Sequence, residues 1–302
     1  VTKQGIFLPV FLFKGDAETY MGIRDISHWE VDYEKSASGT REKHWMICPE
    51  TKRRFLFKLP KSVIGEIWAE KVAAEIGKLL GLSTMETEIV RYHDKIGILL
   101  QNFVDHGKEE FYEGGDLLSV VVEEFNPHSL DGYTLDNIVL SLEPFGLQKE
   151  FIKICMFDAI IANQDRHCEN WGIIQSKEGV RLAPIYDNGA SLGFNVPEAK
   201  LQQYLQNETQ FHGFTNRAKS IIETNGKRKP KLKLLLDALK DRYPDEVKLE
   251  IDRLSRLQLE DICNICMDIS EEIMAPPYKE WVMKLIRHRI NWLKDWYKGG
   301  QA

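Results

Sequence analysis

Hydrophobic residues change their period near residue 103 of this 302-residue chain, and the change separates two kinds of architecture. Upstream, short apolar runs closed by turn residues predict strands around one helix. Residues 54–59, Arg54-Phe55-Leu56-Phe57-Lys58-Leu59, stop at Pro60, which has no N–H to give a sheet ladder. Residues 64–80 then place Trp68, Val72, Ile76 and Leu80 at helical spacing, and Gly81 supplies the stop. Residues 87–92 and 95–100 read as two strands joined by a turn at His93-Asp94, and an apolar run over residues 4–14, broken by Pro9, reads as an opening strand. Downstream the pattern is helical. Residues 147–162 carry the stripe Phe151, Ile154, Phe157 and Ile161. A hairpin follows, residues 171–174 and 180–186 around Lys177-Glu178-Gly179, before helical patterns resume over 232–239, 249–269 and 278–297. The expected fold is therefore α+β in two lobes. A small sheet-rich N-lobe spans residues 1–103 and a larger, mainly helical C-lobe spans residues 104–302. The linker is expected near Gln101-Asn102-Phe103, with a ligand cleft between the lobes.

Composition narrows the function classes. Apolar residues at 43% and charged residues at 28% describe an ordinary globular chain. A formal charge of −6 gives no global attraction to nucleic acid or to an anionic membrane, so neither is an expected partner. No run approaches the roughly 20 apolar residues of a membrane span. Five cysteines, an odd number in a chain too long to need staples, favour a reducing cytoplasmic setting, and they are compatible with a secreted effector.

The chemistry concentrates between the long helix and the hairpin, in Asn163-Gln164-Asp165-Arg166-His167-Cys168-Glu169-Asn170. The second hairpin strand ends in Tyr186-Asp187-Asn188-Gly189. Phosphoryl transfer from ATP needs a carboxylate to orient the attacking hydroxyl and oxygen ligands for magnesium. Protein kinases place the base Asp and a metal-binding Asn five residues apart, with a second metal Asp beyond, before a Gly. Asp165 and Asn170 have that spacing, and Asp187 stands two residues before Gly189. Either half alone would read as ordinary turn residues. Together they predict a protein-kinase-like centre with Asp165, Asn170 and Asp187 as catalytic residues, and Asn170 and Asp187 on Mg2+.

The same logic calls for an ATP-anchoring lysine on a strand, paired with a carboxylate on the helix. Lys58 is a charge in an otherwise apolar strand, and Glu70 lies beside the Trp68 and Val72 face. Upstream, Ser36-Ala37-Ser38-Gly39-Thr40-Arg41-Glu42-Lys43 offers small residues whose N–H groups suit phosphate. Serines on a loop over the transferring phosphate are also candidates for self-modification, and a phosphate there adds charge where ATP must bind.

These residues resemble the HipA-like kinase family, particularly its shorter members. The 36–43 segment is similar to the family's Ser-x-x-Gly-x-x-Glu-Lys ATP loop, and Phe57-Lys58-Leu59-Pro60 to its lysine strand. Glu70 falls where the family's helix glutamate precedes its Gly-Leu. Asp165-Arg166-His167-Cys168-Glu169-Asn170 resembles its Asp-Arg-His-x-x-Asn loop, and Ala183-Pro184-Ile185-Tyr186-Asp187 its metal strand. The resemblance implies an ATP- and magnesium-dependent serine/threonine kinase acting on a protein substrate. It implies ATP contacts at Ser38, Gly39, Lys58, Glu70, Gln101, Phe103 and His167, and autophosphorylation at Ser36 or Ser38. Longer members carry an extra N-terminal subdomain that helps contact a DNA-binding antitoxin. Only 35 residues precede Ser36 here, so an antitoxin-like regulator does not carry over with the rest. A kinase-fold enzyme acting on a lipid or small molecule would use the same parts, and a pseudokinase scaffold would not need the full set.

Three further features have simpler accounts. Cys263-x-x-Cys266 lies in a helical pattern without a second pair, so buried helical cysteines are expected rather than zinc. The basic stretch over residues 227–233 reads as a solvated helix start. Trp281, Trp292 and Trp296 read as the core stripe of the last helix.

Overall fold

The computed structural model describes residues 19–20, 22–33 and 42–299. The loop residues Ser36, Ser38 and Gly39, and the opening strand expected over 4–14, lie outside the described residues. Among the described residues ten strands form two sheets. β1 (Thr19–Tyr20), β2 (Ile23–Asp25), β3 (Glu30–Val31), β4 (Lys43–Ile47), β5 (Arg54–Lys58), β6 (Thr87–Tyr92) and β7 (Lys95–Gln101) make a curled sheet in the order β1-β2-β6-β7-β5-β4-β3. β8 (Glu109–Glu113), β9 (Gly172–Ser176) and β10 (Gly179–Leu182) make a second sheet in the order β10-β9-β8. Only β2 and β6 pair in parallel among the described ladders.

Alternation decides what each face of β5 does. Phe55 and Phe57 are buried with Trp29, Met46, Val90 and Leu99 in one apolar cluster. Leu56 points the other way and packs with Ile98, Leu100, Phe103 and Tyr186. Lys58 shares the Leu56 face because strand side chains repeat every two residues, which turns its ammonium toward the helix.

That helix, α1 (Gly65–Leu79), leaves the sheet for the larger core. Trp68, Val72, Ala73, Ile76 and Leu80 are buried in the same cluster as the helices downstream. Glu66 ties down its entry by accepting from the backbone N–H groups of Lys61 and Ser62. At its end Gly81, at φ +72°, donates to Lys78 O while Leu82 donates to Gly77 O, the double closure of a Schellman turn. The loop that follows makes backbone bonds with the strand leading to Asp187: Ile185 N donates to Ser83 O and Met85 N donates to Ile185 O, at 2.8 and 2.9 Å.

The remainder is helical: α2 (Gly114–Val121), α3 (Leu135–Leu142), α4 (Gln148–Ile161), α5 (Glu198–Gln206), α6 (Glu208–Thr215), α7 (Leu232–Arg242), α8 (Pro244–Arg253), α9 (Leu259–Met267) and α10 (Pro276–Tyr297). The pattern over 249–269 is not one helix. A 3-10 turn at Leu254–Arg256 and an extended Leu257 divide it into α8 and α9, while the apolar side chains keep facing the core across the break. Trp281 and Trp296 are buried and Trp292 half-buried on α10. The basic stretch is drawn into surface ion pairs, Arg228 with Asp131 and Glu223, and Lys233 with Asp237 at 2.9 Å. Cys266 is buried on α9 and Cys263 half-buried. Among the described residues no helix is long and apolar enough to cross a membrane.

Candidate active site

Three segments converge where β5, α1 and the turn after β10 meet. Lys58 reaches from β5 to Asp187, Nζ to Oδ1 at 3.5 Å. Asp187 sits at φ +56°, a left-handed conformation that non-glycine residues adopt at a cost and that Asp tolerates better than most. Two residues on, Gly189 lies against α1. A Cβ there would stand 3.1 Å from Glu66 O, a tight contact that α1 would have to ease by a few tenths of an ångström.

The pairing of Lys58 with Glu70 anticipated from the sequence is not the one formed. Lys58 pairs with Asp187, and Glu70 takes a hydrogen bond from the Gly189 backbone. Burial, and then the nearby Asp187 carboxylate, push the Glu70 pKa up to about 7. The Lys58 ammonium acts on Glu70 in the opposite direction, favouring its ionised form. Glu70 Oε1 is buried with no hydrogen-bond partner.

The loop after α4 is organised by a residue to which sequence reasoning assigned no role. Arg166 is 3% exposed and its guanidinium spans the site. Its Nε and Nη2 clasp both oxygens of Asp158 on α4, at 3.0 and 2.6 Å. Nη1 donates to the carbonyls of Asn170 and Tyr186 at 2.9 and 2.7 Å, and Nη2 also reaches Asn188 Oδ1 at 2.7 Å. One side chain thus fixes the residues that carry or precede Asn170 and Asp187. Burial works against its charge, but the Asp158 carboxylate more than offsets this and moves the pKa up. From the other side, the buried Tyr133 hydroxyl donates to Arg166 O at 2.7 Å and accepts from Trp171 Nε1 at 3.0 Å.

On this frame the loop closes on itself. Asp165 N donates to Asn163 Oδ1, and Asp165 O accepts from His167 N and from Asn170 Nδ2 at 3.0 Å. The Asp165 side chain faces solvent. Using its amide nitrogen on Asp165 O leaves Asn170 with Oδ1 as its outward atom. His167 turns its ring to Glu169 Oε2 at 3.5 Å, as a brace within the loop.

The predicted residues of the linker also gather here. Gln101 ends β7, its backbone bonded to Glu86 O. Phe103 stacks with Phe111 and Tyr186 at centroid distances of 5.4 and 5.5 Å, giving the site an aromatic wall. Lys43, the last residue of the ATP-loop motif, stands directly opposite Lys58 in the β4–β5 register.

Among the described residues no group of three or more His, Cys, Asp and Glu side chains could hold a metal ion. Magnesium bound with phosphates needs only one or two protein oxygens. The donor set here, a carboxylate at Asp187 and an amide oxygen at Asn170, fits that hard cation.

Comparison with known proteins places the arrangement. The family described as HipA-like C-terminal domain matches residues 35–250. The serine/threonine-protein kinase CtkA of Helicobacter pylori is 30% identical over 174 residues, 54% of this chain and 52% of that protein. The match thus spans about half the length of that relative. The crystal structure of a Helicobacter pylori proinflammatory kinase CtkA superimposes with a TM-score of 0.77 at 21% identity, covering 93% of this chain and 100% of that one. HipA from Shewanella oneidensis MR-1, solved with HipB and operator DNA, gives 0.53 at 12% identity, covering 92% and 68%. At these identities the structures speak for the fold, a kinase-like one.

Proposed function

Because the chain belongs to the HipA-like C-terminal domain family, we propose that it is an ATP- and magnesium-dependent protein serine/threonine kinase that also phosphorylates its own Ser36 or Ser38. The observation that carries the reading is the meeting of Lys58, Glu70 and Asp187 beside a loop whose Asp165 and Asn170 are held by Arg166. Lys58, with Lys43 opposite, orients the ATP phosphates. Asp187 and Asn170 Oδ1 hold magnesium, which when bound screens the phosphate charge and draws the phosphoryl group into line. Asp165 accepts the proton of the acceptor hydroxyl. Its carboxylate makes no hydrogen bond within the described residues, while its backbone is fixed at both N–H and carbonyl, which suits a base that must meet an incoming group. Leu56, Phe103 and Tyr186 form the apolar wall expected to receive the adenine.

The test is incubation with γ-labelled ATP, magnesium and a protein mixture, beside Asp165→Asn, followed by mass spectrometry. Label on serine or threonine with the native chain and its loss with Asp165→Asn is the expected result. No transfer to any protein, with ATP bound, would overturn the kinase reading. An unmodified Ser36 and Ser38 in an active preparation would overturn the autophosphorylation reading alone.

A further inference from the structure

A cavity opens beside Asp165, about 600 Å³ in volume and within the range of ligand pockets. Its walls come from the catalytic loop, the 190–197 segment, α5, the end of α6 and α10. Phe194, Tyr204, Phe214 and Leu285 supply an apolar lining. The charged groups are Asp165 and three cations, Lys200, Arg217 and Arg289. In a chain that is acidic overall, this is a local excess of positive charge at the proposed base.

Arg289 is the informative member. It is 3% exposed, projects from α10, and lines the cavity. Among the described residues its Nε has no hydrogen-bond partner, and no carboxylate pairs with it. The Trp292 ring, 5.7 Å from the guanidinium carbon, covers one face but cannot receive its N–H groups. Burial lowers its pKa to about 10, which still leaves it charged at neutral pH. Elsewhere in the molecule a comparably buried guanidinium, Arg166, is clasped by a carboxylate and three further acceptors. A buried, unpaired arginine is costly to keep unless a ligand supplies the anion.

We propose that this cavity is the acceptor site and that it selects a protein segment carrying an acidic side chain, which docks on Arg289 while the neighbouring serine or threonine hydroxyl meets Asp165. The proposal rests on the kinase reading for the role of Asp165. Lys200 and Arg217, exposed at the mouth, draw the acidic segment in, and the apolar wall holds its flanking residues. Carboxylate and phosphate share the chemistry the guanidinium recognises.

The experiment is binding of fluorescent serine peptides to the full chain, followed by transfer assays on the same peptides. One series carries Glu, phosphoserine, Gln or Lys at each position flanking the serine. Acidic peptides should bind about tenfold or more tightly than their Gln counterparts, and Arg289→Met should erase most of that preference. If Arg289→Met does not fold, the exposed pair Lys200→Ala and Arg217→Ala serves instead and should reduce the same preference and its salt dependence. Glu and phosphoserine arms separate a carboxylate partner from a phosphorylated one, and preference for either supports the site. Binding indifferent to peptide charge, or a preference equal in native chain and variants, overturns it, even with phosphoryl transfer intact. Acidic-selective binding without transfer would overturn the kinase reading and leave the docking site standing. A small phosphorylated alcohol that binds at Arg289 when no peptide does would overturn the assignment of a protein segment.

Discussion

Replacing Arg166 with methionine should cost the chain about 3–5 kcal/mol of stability, because removing one partner of a buried ion pair strands the other charge. The structure makes the estimate specific. Asp158 is buried and has both oxygens engaged by this guanidinium, so Arg166→Met leaves a buried carboxylate with only the Asn163 amide donating to it among the described residues. The carbonyls of Asn170 and Tyr186 lose a donor as well. Total stabilities of folded domains run about 5–15 kcal/mol, so the loss takes up a large share. The assay is urea unfolding followed by tryptophan fluorescence, since urea does not screen charge as guanidinium does. A cycle with Asp158→Asn completes it. The two single changes should fall short of additivity by about 0.5–3 kcal/mol, as expected of residues in direct contact. A cost for Arg166→Met below about 1 kcal/mol, the range of an exposed ion pair, would refute the reasoning, and so would simple additivity.

Lys58→Met should fold normally and lose transfer by about 10²–10³, by analogy with deleting one preorganised charge donor; single-turnover kinetics on γ-labelled ATP measure it. Glu70 contributes a pH dependence of known sign. Its pKa rises from 4.5 to about 7 on folding, so across that window the folded chain holds a proton the unfolded chain has released. Stability therefore falls as pH rises through the window, by about 3 kcal/mol in all, and Glu70→Gln should abolish that fall in urea midpoints compared at pH 5 and pH 8. Gly65→Ala places a Cβ 2.1 Å from Phe194 O, so α1 must shift. A loss of about 1–3 kcal/mol is expected, read as a lower melting temperature.

The elements legible in the sequence are those with a clean period. Strand β5, helix α1 and the β6–β7 hairpin sit where alternation and the stop at Gly81 put them. Lys58 was legible as a charge inside an apolar strand. Arg166 was not, although a signal existed: Asp158 is the one charged residue in Ile154-Cys155-Met156-Phe157-Asp158-Ala159-Ile160-Ile161, and a carboxylate in such a stripe needs a buried cation. Strand β8 and the eight-residue helices α2 and α3 were missed because so short a segment carries too few turns to show a period. The α8–α9 break was hidden because Leu254 and Leu257 keep the apolar rhythm through a 3-10 turn. The cavity at Arg289 was beyond sequence reasoning, since its walls come from five segments that only the fold assembles.

Helix α1 is stitched to the helical half at both ends. Near its start, Gly65 nests on the Phe194 backbone. Past its end, two backbone hydrogen bonds join residues 83–85 to Ile185, and Arg253 and Arg256 grip the Leu80 carbonyl. An outward swing of this helix would break at least four hydrogen bonds together, worth about 0.5–1.5 kcal/mol each. At 1.4 kcal/mol per factor of ten, the swung form would occupy between about one molecule in thirty and one in twenty thousand. These contacts weigh against the rocking helix as an on–off lever in this chain. Glu70 and Asp187 travel as one rigid piece, and whatever regulates access to them has to act on the strands and loops around that piece.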